Sequence, residues 1–140
     1  MVPNPEIILA GFRESIDAIE EAYEFMLAYA AQGRLDEDST SSPNIRELAE
    51  KAKAALEKFS QKMGLKEEEL CDFGGAEFKE YMMLLSEDAG KSLSGIKLVL
   101  TCRPITSQLI DNLNVSIHLR ALLTDLFLVD EVLKINQNNG

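Results

Sequence analysis

Apolar residues recur at helical spacing along almost the whole chain. Leu9, Phe12, Ile16, Ile19, Tyr23, Met26 and Ala30 alternate steps of three and four, which gathers them on one face of a helix. Glu14, Asp17, Glu20, Glu21 and Glu24 fall away from the centre of that face. Asn4 followed by Pro5 suits a helix start, and Gly33 suits its stop, so the first helix is predicted over 5–33. Ile45, Leu48, Ala52, Leu56, Phe59 and Met63 predict a second over 43–63, closed by Gly64. Asn44 stands three residues before Glu47, the spacing of a capping box, and Glu47 and Lys51 form an i,i+4 pair.

An acidic turn (Glu67, Glu68, Glu69) and a Gly74-Gly75 hinge precede the third stripe: Phe78, Met82, Leu85, Ala89, Leu93, Ile96 and Leu100. It predicts a helix over 76–102 in which Gly90 and Gly95 each cost about 1 kcal/mol relative to Ala. Beyond Pro104, the residues Val115, Leu119, Leu122, Leu126, Val129 and Leu133 predict a fourth helix over 104–135. No strand-like alternation and no internal repeat interrupts this pattern. The expectation is an all-α, antiparallel four-helix bundle forming one domain over 1–140. The segment Leu35 to Ser42 is its flexible acidic, Ser-rich loop, and 136–140 is a frayed tail.

The fourth stripe has a rival on the same predicted helix. Ile110, Ile117, Ala121, Leu128, Val132 and Ile135 gather more than a quarter-turn from the first set, and these six are the candidate interface. A surface helix needs only one apolar face. Either this second face drives self-association, most simply as a two-fold dimer, or the helix sits centrally and packs with both faces.

Charge narrows the partners. Lys and Arg number 14 against 24 Asp and Glu, a formal net charge of −10. A field of that sign repels phosphate backbones and anionic lipid, so neither nucleic acid nor a membrane is expected; a basic protein is compatible with it. Cys71 and Cys102 lie far apart outside any C-x-x-C pair, which suits a reducing cytoplasm. The opening Met1-Val2-Pro3-Asn4-Pro5 lacks a charged leader followed by an apolar run, so no signal peptide is expected.

Candidate chemistry is sparse. His118 is the single histidine, which excludes a His-rich zinc site or paired E-x-x-H motifs. No phosphate-binding glycine loop and no G-x-S-x-G elbow occurs, and no cofactor is implied. Neither Asp36-Glu37-Asp38 nor the Glu67 cluster has the ligand spacing of a calcium loop.

A single His on a bundle helix invites a phosphotransfer reading. The run His118-Leu119-Arg120-Ala121-Leu122 departs from the H-x-L-K-G pattern of histidine phosphotransfer domains. Arg13-Glu14-Ser15-Ile16-Asp17-Ala18-Ile19-Glu20 resembles the R-x-x-I-D-x-I-D opening of the all-α chorismate mutases. That resemblance implies further cations for a dicarboxylate transition state, but the matching positions hold Ala30 and, near the loop, Ser41. No site residue is carried over. The sequence therefore points to a non-catalytic cytoplasmic bundle acting through protein–protein contact, as an accessory, adaptor or regulatory protein. A small enzyme or phosphorelay module using Arg13 or His118 is the alternative.

Overall fold

The computed structural model describes residues 5–38, 40–60, 67–117 and 119–139, and the side chains of 10–38, 40–59, 75–117 and 119–135. Among these residues the chain forms five α-helices: α1 (Pro5–Ala31), α2 (Ile45–Ser60), α3 (Glu67–Leu100), α4 (Ser107–Ile117) and α5 (Leu119–Asn139). The all-α expectation holds, and the count of four does not. The predicted helix over 104–135 is two helices, divided between Ile117 and Leu119.

Burial shows why that division occurs. On α4 the inward residues are Ile110, Leu113 and Ile117; on α5 they are Leu119, Leu122, Leu126, Val129 and Leu133. In one unbroken helix Ile117 and Leu119 would point about 200° apart. Both are buried, at 7% and 0% exposure, so the helical phase has to shift between them. Val115, the first residue of the predicted fourth stripe, is 67% exposed for the same reason.

Other boundaries follow local chemistry. Asn44 caps α2: its Oδ1 accepts from the Glu47 N–H at 3.0 Å, and its Nδ2 donates to Glu47 Oε1 at 3.2 Å. Thr106 does the same for α4, accepting from the Leu109 N–H at 3.1 Å. α3 begins nine residues earlier than the stripe predicts, but Gly75 breaks its helical geometry at φ 79°. That left-handed conformation strains any residue with a Cβ, which accounts for glycine at the predicted hinge. Gly33, just beyond α1, is also left-handed, at φ 65°. The predicted Asn4 cap, the Gly64 stop and His118 lie outside the described residues.

Contacts between helices fix their directions. The end of α1 (Tyr29) meets the starts of α4 (Ser107) and, through the loop, of α2 (Arg46), which also reaches the end of α3 (Leu100). Farther along, Asn114 of α4 reaches the Met26 carbonyl of α1, and Asp130 of α5 pairs with Arg13 of α1. α4 and then α5 thus run back along α1, opposite in direction to it. Against α3, Ser92 donates to the Ile117 carbonyl and Tyr81 stands beside Asp125, so both helices also oppose α3. α2 packs on α1 and α3 from the other side. The core between them is aliphatic, with Phe12 and Phe59 meeting edge to face at 5.3 Å between ring centres. Among the described residues no helix is long and apolar enough to cross a membrane.

Candidate functional site

Two regions hold concentrated polar chemistry, and they differ in how far it is already engaged. At the end where α1, α2, α3 and α4 meet, almost every group has a partner. The Arg46 guanidinium takes Glu37 with two bonds (2.6 and 3.1 Å) and donates to the carbonyls of Leu100 (3.0 Å) and Cys102 (2.7 Å). A cation at the last carbonyls of α3 suits the negative end of that helix. Glu37 also accepts from the Ile105 N–H at 2.7 Å, and Tyr29 donates its hydroxyl to the Ile105 carbonyl. Ser107 donates to the Tyr29 carbonyl at 2.6 Å and accepts from the Arg34 N–H at 2.7 Å.

The electrostatics agree with this geometry. The Arg46 hydrogen bonds hold the Glu37 carboxyl below its ordinary range against the opposing effect of burial, and the Ile105 N–H assists. Burial chiefly raises the Tyr29 hydroxyl. Asp38 accepts from the hydroxyls of Thr40 and Ser41, which bring its carboxyl down to about 2. The acidic loop therefore uses Glu37 and Asp38 in its own structure. A cavity of about 180 Å³ adjoins Tyr29, Arg34 and Asp38, but the groups themselves are satisfied, and the cluster reads as a structural tie.

The corner between α4 and α5 is the opposite case. Its inner side is close-packed: a Cβ on Gly95 would stand 2.8 Å from Ile117 Cγ2 and 3.2 Å from Leu113 Cδ1. Ser92, buried, donates to the Ile117 carbonyl at 3.3 Å. Its outer side is a cleft of about 520 Å³ lined by Tyr23, Asn114, Arg120, Ala121, Thr124 and Asp125. Thr124 donates to the Arg120 carbonyl within α5, and Asp125 stands beside the Tyr81 hydroxyl, which burial and then that carboxylate raise. Asn114 is held by one long bond, Nδ2 to the Met26 carbonyl at 3.5 Å, and its Oδ1 is buried without a donor. Among the described residues neither Arg120 nor the Tyr23 hydroxyl has a partner.

The six predicted interface residues do not stay together. Ile110 and Ile117 are core residues of α4 and cannot belong to a surface. Leu128 and Ile135 are 53% and 52% exposed, Ala121 is exposed one heptad before Leu128, and Val132 is half-buried beside them. These four share the outer side of α5. Arg13 is engaged with Asp130 of α5 (Nε–Oδ1, 3.2 Å) rather than opening into a cavity. The cleft was not expected from sequence, although Ile117-x-Leu119, a two-residue step between apolar positions, carries the signal of the corner that forms it. Comparison with protein-family models, curated protein sequences and solved structures returns no match.

Proposed function

We propose that this protein is a non-catalytic interaction module in which the outer face of α5 receives an amphipathic helix from a basic partner. In this reading α4 and α5 share the fourth position of a four-helix bundle, and the phase shift between them presents the stripe. The observation that carries it is the exposure of Leu128 and Ile135 at a heptad spacing, with Ala121 and Val132 on the same side. Exposed apolar residues are ordinary when scattered; aligned along one helix they match the anchors of a helix-on-helix contact. Asp125 and Glu131 flank the stripe, and the chain carries a net charge of −10, so the complementary partner is cationic at its rim. A second copy on the same face, giving a homodimer, would bring together two such acidic surfaces, which disfavours it. Two cysteines far apart in the sequence suit a reducing compartment, and we place the protein in the cytoplasm.

The test uses the full chain and synthetic heptad peptides with leucine cores, one flanked by Lys and one by Glu. The Lys peptide should bind and the Glu peptide should not. Leu128→Glu and Ile135→Glu, at exposed positions, should keep their helical circular dichroism and weaken binding about tenfold or more. Equal binding of both peptides, or unchanged binding by the variants, overturns the reading. A concentration-dependent dimer in sedimentation, abolished by Leu128→Glu, would assign the face to a second copy instead.

A further inference from the structure

The cleft at the α4–α5 corner holds a combination of groups that folding leaves incomplete. Arg120 brings a guanidinium with no ion-pair partner among the described residues, and Tyr23 an unpaired hydroxyl. Asn114 Oδ1 is an acceptor with no donor, on an amide whose only bond is the 3.5 Å contact from Nδ2 to the Met26 carbonyl. Oδ1 is itself closed off from the surface, so meeting an occupant requires the amide to rotate toward the cleft that Asn114 lines. A buried acceptor left without a donor is costly, and a donor brought into the cleft would relieve that cost once the amide has turned.

The chemistry of an occupant follows from where these groups stand. Arg120 offers a planar fork that matches a carboxylate, and Tyr23 can donate to the same oxygens. Asp125, beside Tyr81, sets a carboxylate on the α5 side of the cleft, and Asn114 adds an acceptor. A dianionic phosphate would meet Asp125 as well as the −10 of the whole chain. A group that joins one carboxylate to N–H donors meets complementary partners at both ends. The volume of about 520 Å³ accommodates a compact ligand of this type.

We propose that this cleft binds an α-amino carboxylate, either a free amino acid or the C-terminal residue of a peptide, with Arg120 on the carboxylate and Asn114 and Asp125 on the N–H groups. The proposal goes beyond the docking face: Arg120→Gln leaves Leu128 and Ile135 untouched, so the two readings fail separately.

Titration calorimetry on the full chain with leucine, glycyl-leucine, glycyl-leucinamide and inorganic phosphate tests it. At least one of the two free carboxylates should bind, with the amide weaker by about tenfold or more. Arg120→Gln should lose about as much, and Asn114→Ala a few-fold, with circular dichroism unchanged in both. Binding of leucine as tight as that of the dipeptide assigns the site to a free amino acid; binding of the dipeptide alone assigns it to a peptide terminus. No binding of either carboxylate, equal binding of the amide, preference for phosphate, or indifference to Arg120→Gln overturns the proposal.

Discussion

The tied end of the bundle and the α4–α5 corner carry similar residue types with opposite fates. Each has an arginine, a carboxylate, a tyrosine and a hydroxyl. At the tied end Arg46 is 22% exposed and Glu37 15%, and both are closed on each other and on backbone groups from two further segments. At the corner Arg120 is exposed and faces open volume, and Asn114 has an acceptor without a donor. The difference is one of completeness. A polar cluster that satisfies itself stabilises the fold, whereas one that does not leaves recognition to be explained.

The largest expected effect probes that contrast directly. Arg46→Ala removes four hydrogen bonds, leaving Glu37 with the Ile105 N–H alone and the Leu100 and Cys102 carbonyls without that donor. It should cost about 2–4 kcal/mol in chemical denaturation. Arg120→Ala should change stability by less than about 0.5 kcal/mol, since its side chain makes no bond among the described residues. Similar losses for the two arginines would break the comparison.

A smaller effect concerns the inner side of the corner. Gly95→Ala would drive a methyl into Ile117 and Leu113, and should destabilise by about 1–3 kcal/mol. Gly90, five residues earlier on the same helix, has no atom within 4 Å of a built Cβ. Gly90→Ala should therefore stabilise by about 0.5–1 kcal/mol through helix propensity alone. Thermal melts of the two variants should move in opposite directions. A rise for both would show that α4 does not press on α3 at Gly95.

These two glycines also show how much one sequence reveals. Read by propensity they are equal costs, because the neighbour that makes Gly95 necessary lies on another helix. The stripes of α1, α2 and α3 were legible, since each is a local pattern with one phase. So was the Asn44–Glu47 cap, whose partners are three residues apart. The predicted fourth helix fails because its two apolar faces belong to two helices and are not two sides of one cylinder. Ile110 and Ile117 in fact hold the inward phase of α4, which, continued past the break, becomes the outward phase of Ala121, Leu128 and Ile135 on α5. The tie was invisible for a different reason: Glu37 looked like one carboxylate among several in a solvated loop, and its partners come from Arg46 and, far along the chain, Ile105. The cleft depends on both kinds of information, a local phase shift and the distant Tyr23.

The smallest effect is a pH dependence that separates the tie from the rest of the acidic loop. Arg46 above all, and the Ile105 N–H after it, hold the folded Glu37 carboxyl below its ordinary value of 4.5. Because folding lowers this pKa, the stabilisation is complete well above pH 4.5 and drains away as the pH falls through the folded value. Glu37→Gln removes the charge while keeping the shape, and should cost about 1–2 kcal/mol near neutral pH. The gap between wild type and variant should then narrow steadily below pH 4.5, as wild-type Glu37 itself becomes neutral. Asp38 does not confuse the measurement: its exposed carboxyl titrates near 2, and it is present in both proteins. Urea denaturation of the pair across this window reads the difference directly. A gap that stays constant in acid would mean that the charge of Glu37 contributes nothing to the tie. Arg46 would then hold that end through its bonds to the Leu100 and Cys102 carbonyls alone.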